Sequence, residues 1–165
     1  MRYIGVSNFP VQLLDAPGHV YPASQNGYNL AEREADKELL PHFRREGIVL
    51  IAWSPLAKGV LTGKYTPENP TAFEDVRRND PLFTPHNLKL VWPLVEELRR
   101  LVAAYGKTPA QVALNWLVRD PWIYSIPGAK TPEQVAVNAG AVGWMLSDDD
   151  RLGWEISQKI TYVTW

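Results

Sequence analysis

The feature that most constrains the fold is an unbroken apolar run, IVLIAW at residues 48–53, which Ser54 and Pro55 follow directly. A run without polar residues at alternate positions is typical of a strand buried on both faces of a parallel sheet. Parallel neighbours cannot be joined by tight turns, so such a sheet needs long crossover connections. The run therefore predicts an α/β protein in which helices cover a parallel sheet.

The sequence contains three further short β-prone segments. Segments with a helical pattern lie between the four predicted strands. The predicted strands lie at residues 3–7, 21–25, 48–53 and 122–127. The predicted helices lie at residues 11–16, 32–47, 86–106, 108–120, 131–145 and 146–160. Four prolines between residues 66 and 85 predict a long flexible loop that covers the site. This alternation predicts four parallel βα units with additional C-terminal helices.

Polar or glycine-containing sequence follows every one of the four predicted strands. These segments are Ser7-Asn8, Gln25-Asn26, Trp53-Ser54-Pro55 and IPGAK at residues 126–130. The carboxyl ends of parallel strands meet at one edge of the sheet, where α/β proteins carry their functional sites. We therefore expect these four segments to form one site.

Composition narrows the classes of function. With 17 basic and 18 acidic residues the net charge is −1, so no overall field attracts nucleic acid or a membrane surface. The absence of cysteine excludes disulfides, thiolate catalysis and thiolate metal sites. The sequence shows neither an apolar leader nor a membrane-spanning stretch. We expect a soluble cytoplasmic protein without nucleic acid or membrane partners.

The length of 165 residues suits one domain with its own core. Residues 1–65 are expected to carry the first three strands and a phosphate-binding loop, and residues 66–85 the flexible loop. Residues 86–165 are expected to hold the remaining helices and the last strand.

The segment from Gly59 to Lys64 superficially resembles the P-loop of nucleotide triphosphatases. Its glycine spacing is one residue too short for that motif, and Tyr65 stands where a magnesium-binding Ser or Thr is required. The sequence therefore argues against a nucleotide triphosphatase.

Five sequence blocks resemble the aldo-keto reductase family, in family order and at close to family spacing. They are IGVSNF (4–9), SQNGYNL (24–30), AWSPLAKGVLTGKY (52–65), YGKTPAQVALNWLV (105–118) and IPGAKTPEQVAVNAGA (126–141). The resemblance covers essentially the whole chain. It implies half of a (β/α)₈ TIM-type barrel, namely strands five to eight with their helices, and an oxidoreductase that uses NADP(H).

The resemblance implies where the nicotinamide and the pyrophosphate bind. Ser7, Asn8 and Gln25 match residues that hold the nicotinamide carboxamide, whose donor and acceptor groups their side chains complement. Trp53 matches the aromatic residue that stacks on the nicotinamide ring. The matches to the pyrophosphate loop, and to the basic residue that closes on it, are Ser54, Pro55, Leu56, Ala57, Gly59 and Lys64.

The resemblance assigns Gly128 and the helix after it to the adenosine end. Lys130, at the start of this helix, is placed to meet a 2′-phosphate, which favours NADP over NAD. Gln134 and Asn138 lie four residues apart on one helical face, where the family contacts adenine. Val137 replaces a Glu that many family members carry, which implies weaker affinity.

The resemblance also implies that the catalytic residues are missing. The family's Asp, Tyr, Lys and His belong to the first half of its barrel, and no position of this sequence matches them. We therefore predict no catalytic residue, and we interpret Tyr28 as a packing residue and His42 as a helix-surface residue. Two functions stay open. The first is an NADPH-dependent carbonyl reductase whose missing catalytic half comes from elsewhere or is replaced by unassigned groups. The second is a non-catalytic NADP(H)-binding or structural half-barrel module.

A half-barrel leaves its first and last strands with open edges, which expose unpaired backbone groups. Two copies of the chain can close these edges, or a separate chain can supply the missing half. In the third alternative the protein is a fragment that is stable only if the C-terminal helices cover the exposed face. Of these, self-association is favoured because a symmetric pair of four-stranded units removes both edges.

Overall fold

A computed structural model describes residues 2–15, 18, 20–68, 73, 75 and 77–150. Its strands are β1 (Val6–Ser7), β2 (Ala23–Gly27), β3 (Val49–Trp53) and β4 (Ile123–Ser125). Its helices are α1 (Val11–Leu14), α2 (Leu39–Glu46), α3 (Pro85–Tyr105), α4 (Pro109–Val118) and α5 (Pro132–Ala139). Short 3₁₀ segments lie at Glu34–Asp36, Ala57–Thr62 and Pro81–Phe83.

The four strands form one parallel sheet in the order β1-β2-β3-β4. The predicted sheet of four parallel strands alternating with helices is thereby confirmed. Each strand lies within or close to its predicted segment, and all but β2 are shorter than predicted. In the part of the chain that the structure describes, β1 pairs only with β2 and β4 only with β3. The sheet therefore has two open parallel edges.

One face of the sheet is covered by helices and the other is open. Leu50 and Ser24 belong to the covered face and are fully buried. The row on the opposite face runs through all four strands as Ser7, Gln25, Ile51 and Tyr124. The expectation that residues 48–53 are buried on both faces is wrong, because Val49, Ile51 and Trp53 are only half-buried. The apolar run shows that the side chains on both faces of the strand are suited to burial. Nothing among the described residues fully covers the open face, so the side chains there stay half-buried.

Local sequence signals explain where the helices begin and end. Thr108 begins α4 with a capping box, in which its hydroxyl accepts from Gln111 N–H while the Gln111 side chain accepts from Thr108 N–H. Gly47 ends α2 in the left-handed region at φ 71°. Pro93 lies inside the single helix α3. The helix expected at residues 32–47 is instead a 3₁₀ turn followed by α2.

Two predicted segments are only partly described. At the start of the helix expected at residues 146–160, Ser147 Oγ accepts a hydrogen bond from Asp150 N–H at 3.1 Å. Residues 151–160 lie outside the described residues. In the predicted loop at 66–85, the Phe73 and Phe83 rings pack edge to face with centroids 4.5 Å apart. No described helix is both long and apolar enough to cross a bilayer.

Candidate functional site

The carboxyl ends of the four strands lie side by side at one edge of the sheet. Each strand end is tied to its neighbour by a backbone hydrogen bond. These bonds join Asn8 N–H to Gln25 C=O at 3.0 Å, Tyr28 N–H to Trp53 C=O at 3.4 Å, and Ile126 N–H to Ala52 C=O at 3.1 Å. The segments that the sequence singled out after the strands are thus neighbours in space.

Strained backbone is concentrated in these segments. Among the described residues, the non-glycine positions with positive φ are Asn8 at 56°, Ser54 at 49°, Ala57 at 48° and Lys58 at 53°. Asn8 follows β1, and the other three belong to residues 54–64, here called the β3 loop. Backbone in this region costs about 1–3 kcal/mol per residue and persists where surrounding contacts enforce it, often at ligand sites.

A cleft of about 860 Å³ opens at this edge of the sheet. Its walls are the β3 loop, the start of α4, the segment from Pro127 to Lys130, and the exposed face of α5. Nine of the predicted cofactor-binding residues line it: Ser54, Pro55, Leu56, Gly59, Lys64, Gly128, Lys130, Gln134 and Asn138. The residues expected at the pyrophosphate and at the adenosine therefore face one cavity, although they are up to 84 residues apart in sequence.

The cleft is strongly basic. Its described lining carries Lys58, Lys64, Arg77 and Lys130 but only one carboxylate, that of Glu133. Cationic side chains in a concave, partly desolvated site attract an anion far more strongly than the same side chains on an open surface. The lining therefore suits a ligand that carries several negative charges.

Two of the four basic residues are held in place by carboxylates outside the cleft. Lys58 pairs with Asp80, whose side chain is only 7% exposed. The Arg77 side chain donates to Asp75 at 2.8 Å and to the Tyr65 hydroxyl at 2.8 Å. The hydrogen bonds from Arg77 hold the pKa of Asp75 at about 2. These pairs fix cationic groups at the cleft before any ligand arrives.

Lys130 lies in the wall formed by residues 127–130, immediately before α5. Within the described part of the chain its ammonium forms no ion pair within 4.0 Å, and its backbone N–H donates to Gln134 Oε1 at 2.6 Å. Thr131 caps the helix by accepting from Gln134 N–H at 3.3 Å. The Glu133 carboxyl is hydrogen-bonded to the Glu133 backbone N–H and to the Thr131 side chain, and both bonds lower its pKa.

The remaining predicted residues lie outside the cleft lining. Ala57 is fully buried and does not line the cleft. Ser7, Asn8, Gln25 and Trp53 form a second group on the open side of the sheet. Trp53 belongs to this group and directly precedes Ser54 of the cleft, so the two parts are continuous along the chain.

Trp53 is positioned by two neighbours. Its indole Nε1–H donates to Asn8 Oδ1 at 3.3 Å. Its ring also lies directly on Gly27, because a Cβ placed at Gly27 would come within 2.9 Å of ring atom Cζ2. Glycine at this position is thus what lets the indole lie flat along the strand ends.

The tyrosine and histidine side chains considered in the sequence lie away from this edge. Tyr28 is buried beneath α4, where its hydroxyl donates to Asp36 at 2.6 Å, and burial first, then Asp36, raises its pKa well above the usual range. His42 is buried at 2% exposure, so the expectation of a helix-surface residue is wrong. Its ring packs against Phe43 and contacts Arg45. The described residues include no cluster of metal-ligating side chains.

Sequence reasoning missed three charged residues of the cleft. Arg77 lies in the proline-rich segment, which has no periodic pattern from which a side-chain direction could be inferred. Lys58 and Glu133 stand inside segments that were singled out, but neither was selected within them. For Lys58 the signal was its place between Ala57 and Gly59 in the phosphate-binding segment.

Comparisons with known proteins agree with this geometry. The sequence profile of the Aldo/keto reductase family matches residues 1–155. An uncharacterised oxidoreductase of Mycobacterium tuberculosis is 38% identical over 151 residues, which are 89% of this chain and 46% of that protein. The chain thus spans about half the length of such relatives.

Solved structures show the same relationship. A glycerol dehydrogenase from Gluconobacter oxydans superposes with a TM-score of 0.84 at 30% identity, covering 94% of this chain and 48% of its own. An aldo/keto reductase from Klebsiella pneumoniae, solved with NADP and acetate, superposes with a TM-score of 0.65 at 26% identity, covering 94% and 47%. The four βα units of this chain therefore correspond to half of such a barrel.

Proposed function

The chain belongs to the aldo/keto reductase family, and we propose that it forms the NADP(H)-binding half of an oxidoreductase of that family. In this proposal the cleft holds the pyrophosphate and the adenosine 2′-phosphate. The group of Ser7, Asn8, Gln25 and Trp53 holds the nicotinamide on the open side of the sheet.

The observation that carries the proposal is the basic cleft beside a strained loop. Four cationic side chains face about 860 Å³ of space, a volume within the range of small-molecule sites. A dinucleotide phosphate carries negative charge at two separate places, and the cations come from separate segments of the chain: the β3 loop, the proline-rich segment and the segment before α5. Lys58, Lys64 and Arg77 suit the pyrophosphate, and Lys130 suits the 2′-phosphate.

The second group of residues suits the nicotinamide. Ser7, Gln25 and Asn8 offer both donors and acceptors to a carboxamide. Trp53 offers the face of its indole to an aromatic ring. NADPH bound here would supply a hydride for the reduction of a carbonyl group. The chain would contribute binding and orientation, by holding the ring against Trp53.

We propose that this chain by itself lacks the proton donor of a complete reductase, because no position of its sequence matches the family's catalytic residues. The Tyr28 hydroxyl already donates to Asp36 beneath α4, and His42 is buried on α2. Neither is placed to protonate a substrate over the open side of the sheet. We therefore propose that the isolated chain binds NADP(H) and turns over carbonyl substrates weakly or not at all.

Titration of the purified chain with NADPH and with NADH, followed by tryptophan fluorescence, tests the cofactor proposal. We expect saturable binding that is tighter for NADPH. Lys130→Ala should weaken NADPH binding by about tenfold, the effect of losing one charge-assisted contact of about 1.4 kcal/mol. The same substitution should change NADH binding little. Lys89→Ala, at an exposed position on α3, is the matched control. A folded chain that binds neither dinucleotide contradicts the proposal.

A second candidate, a non-catalytic NADP(H)-binding module, is favoured by the absence of an assigned general acid. Oxidation of NADPH in the presence of a panel of aldehydes and ketones separates the two candidates. Turnover by the chain alone would favour a reductase with a general acid that we have not assigned. Binding without turnover would favour the module, or a reductase completed by another chain.

We also propose that the open edges of the sheet pair in a dimer of this chain. Large apolar side chains are exposed at both edges: Tyr3 at 78% and Ile4 at 51% beside β1, and Tyr124 at 61% and Ile126 at 47% at β4. A two-fold arrangement would place β1 of each copy beside β4 of the other, which removes both edges at once. A cytoplasmic location stays a prediction from the sequence.

Sedimentation equilibrium tests the dimer. We expect a dimer for the wild-type chain, a monomer for Ile4→Lys, and a dimer for the control Ala103→Lys on the exposed face of α3. A monomeric wild-type chain would contradict self-association and favour a separate chain as the partner.

A further inference from the structure

One buried amide joins the turn after β2 to the β3 loop. Asn29 is fully buried. Its Oδ1 accepts hydrogen bonds from the backbone N–H groups of Ala31 and Glu32, both at 2.9 Å. Its Nδ2 donates to Glu32 Oε2 at 2.6 Å and to the carbonyl of Ser54 at 3.0 Å. Every hydrogen-bonding group of the amide is therefore used, and only the bond to Ser54 leaves the turn.

Ser54 is the point at which the β3 loop leaves the sheet. It has φ of 49°, and it lines the cleft. Its carbonyl also accepts from Ala57 N–H at 2.9 Å, but Ala57 belongs to the loop and moves with it. The bond from Asn29 is the one of these two that ties the Ser54 carbonyl to the body of the domain.

The turn that carries Asn29 is itself anchored. The neighbouring Tyr28 packs against Trp116 of α4 with ring centroids 5.6 Å apart and donates to Asp36 at 2.6 Å. Arg33 closes this cluster by donating from Nε to Asp36 Oδ2 at 2.7 Å. Asn29 therefore projects from a rigid base, and a clamp needs such a base to hold a strained segment.

We propose that Asn29 is a positioning residue: by holding the Ser54 carbonyl it keeps the β3 loop in the shape that receives a pyrophosphate group. The inference rests on the proposed function. Backbone at positive φ persists only where contacts enforce it. A loop that relaxes must be reordered on binding, which lowers affinity. Asn29 would act on the ligand through the loop, without touching it.

The double variant Asn29→Asp with Glu32→Gln isolates this one bond. Asp at position 29 can still accept from the backbone N–H groups of residues 31 and 32. Gln at position 32 can donate to the Asp, so that the side-chain bond within the turn is kept with its direction reversed. The donor to the Ser54 carbonyl is replaced by a carboxylate oxygen that this carbonyl repels, while the net charge and the side-chain volumes are unchanged.

Two adenosine probes separate a positioning role from a general loss of structure. Adenosine 5′-diphosphate carries a pyrophosphate, whereas adenosine 2′-monophosphate carries only the phosphate expected at Lys130. By isothermal titration calorimetry we expect the double variant to bind the diphosphate about tenfold more weakly, the effect of losing the hydrogen bond that ties the Ser54 carbonyl to the turn. We expect its affinity for the 2′-monophosphate to match that of the wild type.

Controls keep the inference separate from the proposed function. Glu32→Gln alone keeps the donation from Asn29 to Ser54 and should bind the diphosphate like the wild type. If the double variant does not fold, Asn29→Ser replaces it, because Ser can accept from the backbone N–H groups of the turn but cannot reach Ser54. The expected result is the same: weaker binding of the diphosphate and unchanged binding of the 2′-monophosphate. Equal affinity of variant and wild type for the diphosphate, or equal losses for both probes, would overturn the positioning role. Failure of the wild-type chain to bind either probe would instead count against the proposed function.

Discussion

Replacing Gly27 by alanine perturbs the placement of Trp53 in a way that the structure quantifies. The added methyl group would lie 2.9 Å, 3.0 Å and 3.3 Å from ring atoms Cζ2, Cη2 and Cε2 of Trp53. Ordinary contact begins at about 3.4 Å, so the indole has to move by about half an ångström. The φ of Gly27 lies outside the left-handed region, so the backbone itself accepts alanine.

The cost of this clash is limited because the ring can move toward the open side of the sheet. Overpacking of a filled core costs about 1–3 kcal/mol. Because Trp53 is only half-buried, we expect the clash to cost about 1 kcal/mol, the lower end of that range. The Trp53–Asn8 hydrogen bond is already long at 3.3 Å, and its loss adds about 0.5 kcal/mol. We therefore expect Gly27→Ala to lower the free energy of unfolding by about 1.5 kcal/mol.

A double-mutant cycle with Trp53→Ala shows whether the clash is the cause. Urea denaturation should give a loss for Gly27→Ala in the wild-type background and almost none in the Trp53→Ala background, where the indole is gone. A small gain is the most that is expected there, because alanine restricts the unfolded chain more than glycine does. An equal loss in both backgrounds would refute the reasoning, since the cost would then not come from the ring.

The same variant also reports on the proposed function. A displaced Trp53 should weaken NADPH binding while leaving adenosine 2′-monophosphate binding unchanged, because only the nicotinamide end is disturbed. Equal affinity of Gly27→Ala and the wild type for NADPH would indicate that Trp53 does not contact the nicotinamide.

Three further predictions test the contacts around the cleft. Asp80→Asn should lower the free energy of unfolding by about 2 kcal/mol, because it breaks the ion pair of Lys58 and Asp80, whose side chains are only 21% and 7% exposed; urea denaturation checks this, and a loss below about 0.5 kcal/mol would fit an exposed pair instead. The Asp75 carboxyl should titrate with a pKa of about 2 rather than 3.8, so that its pairing with Arg77 stabilises the folded chain above pH 3.8 and is lost as the pH falls toward 2; carboxyl NMR should show this pKa rising in Arg77→Gln, and an unmoved pKa would argue against the pair. Tyr28→Phe should cost about 1–2 kcal/mol of folding free energy by removing the bond to Asp36, and an unchanged midpoint of thermal unfolding would show that solvent replaces it.

Much of the fold could be predicted because its signals are local. Thr108 and Gly47 mark helix ends through the bonds and backbone angles of their immediate neighbours. The errors have a tertiary origin. The run at 48–53 was expected to be covered on both faces, and His42 was expected at the surface. In each case burial depends on which other element packs there, which one segment does not encode.

The sequence by itself determined the order of the strands and helices, the strand ends that carry the candidate site, and the family blocks that point to a dinucleotide. Those features depend on residues close together in the chain. Only the tertiary structure divided the predicted cofactor residues between a basic cleft and the open side of the sheet. It alone brought Arg77 to the cleft and joined Asn29 to Ser54. Contacts between residues so far apart in sequence arise from the packing of whole elements, so no local sequence pattern predicts them.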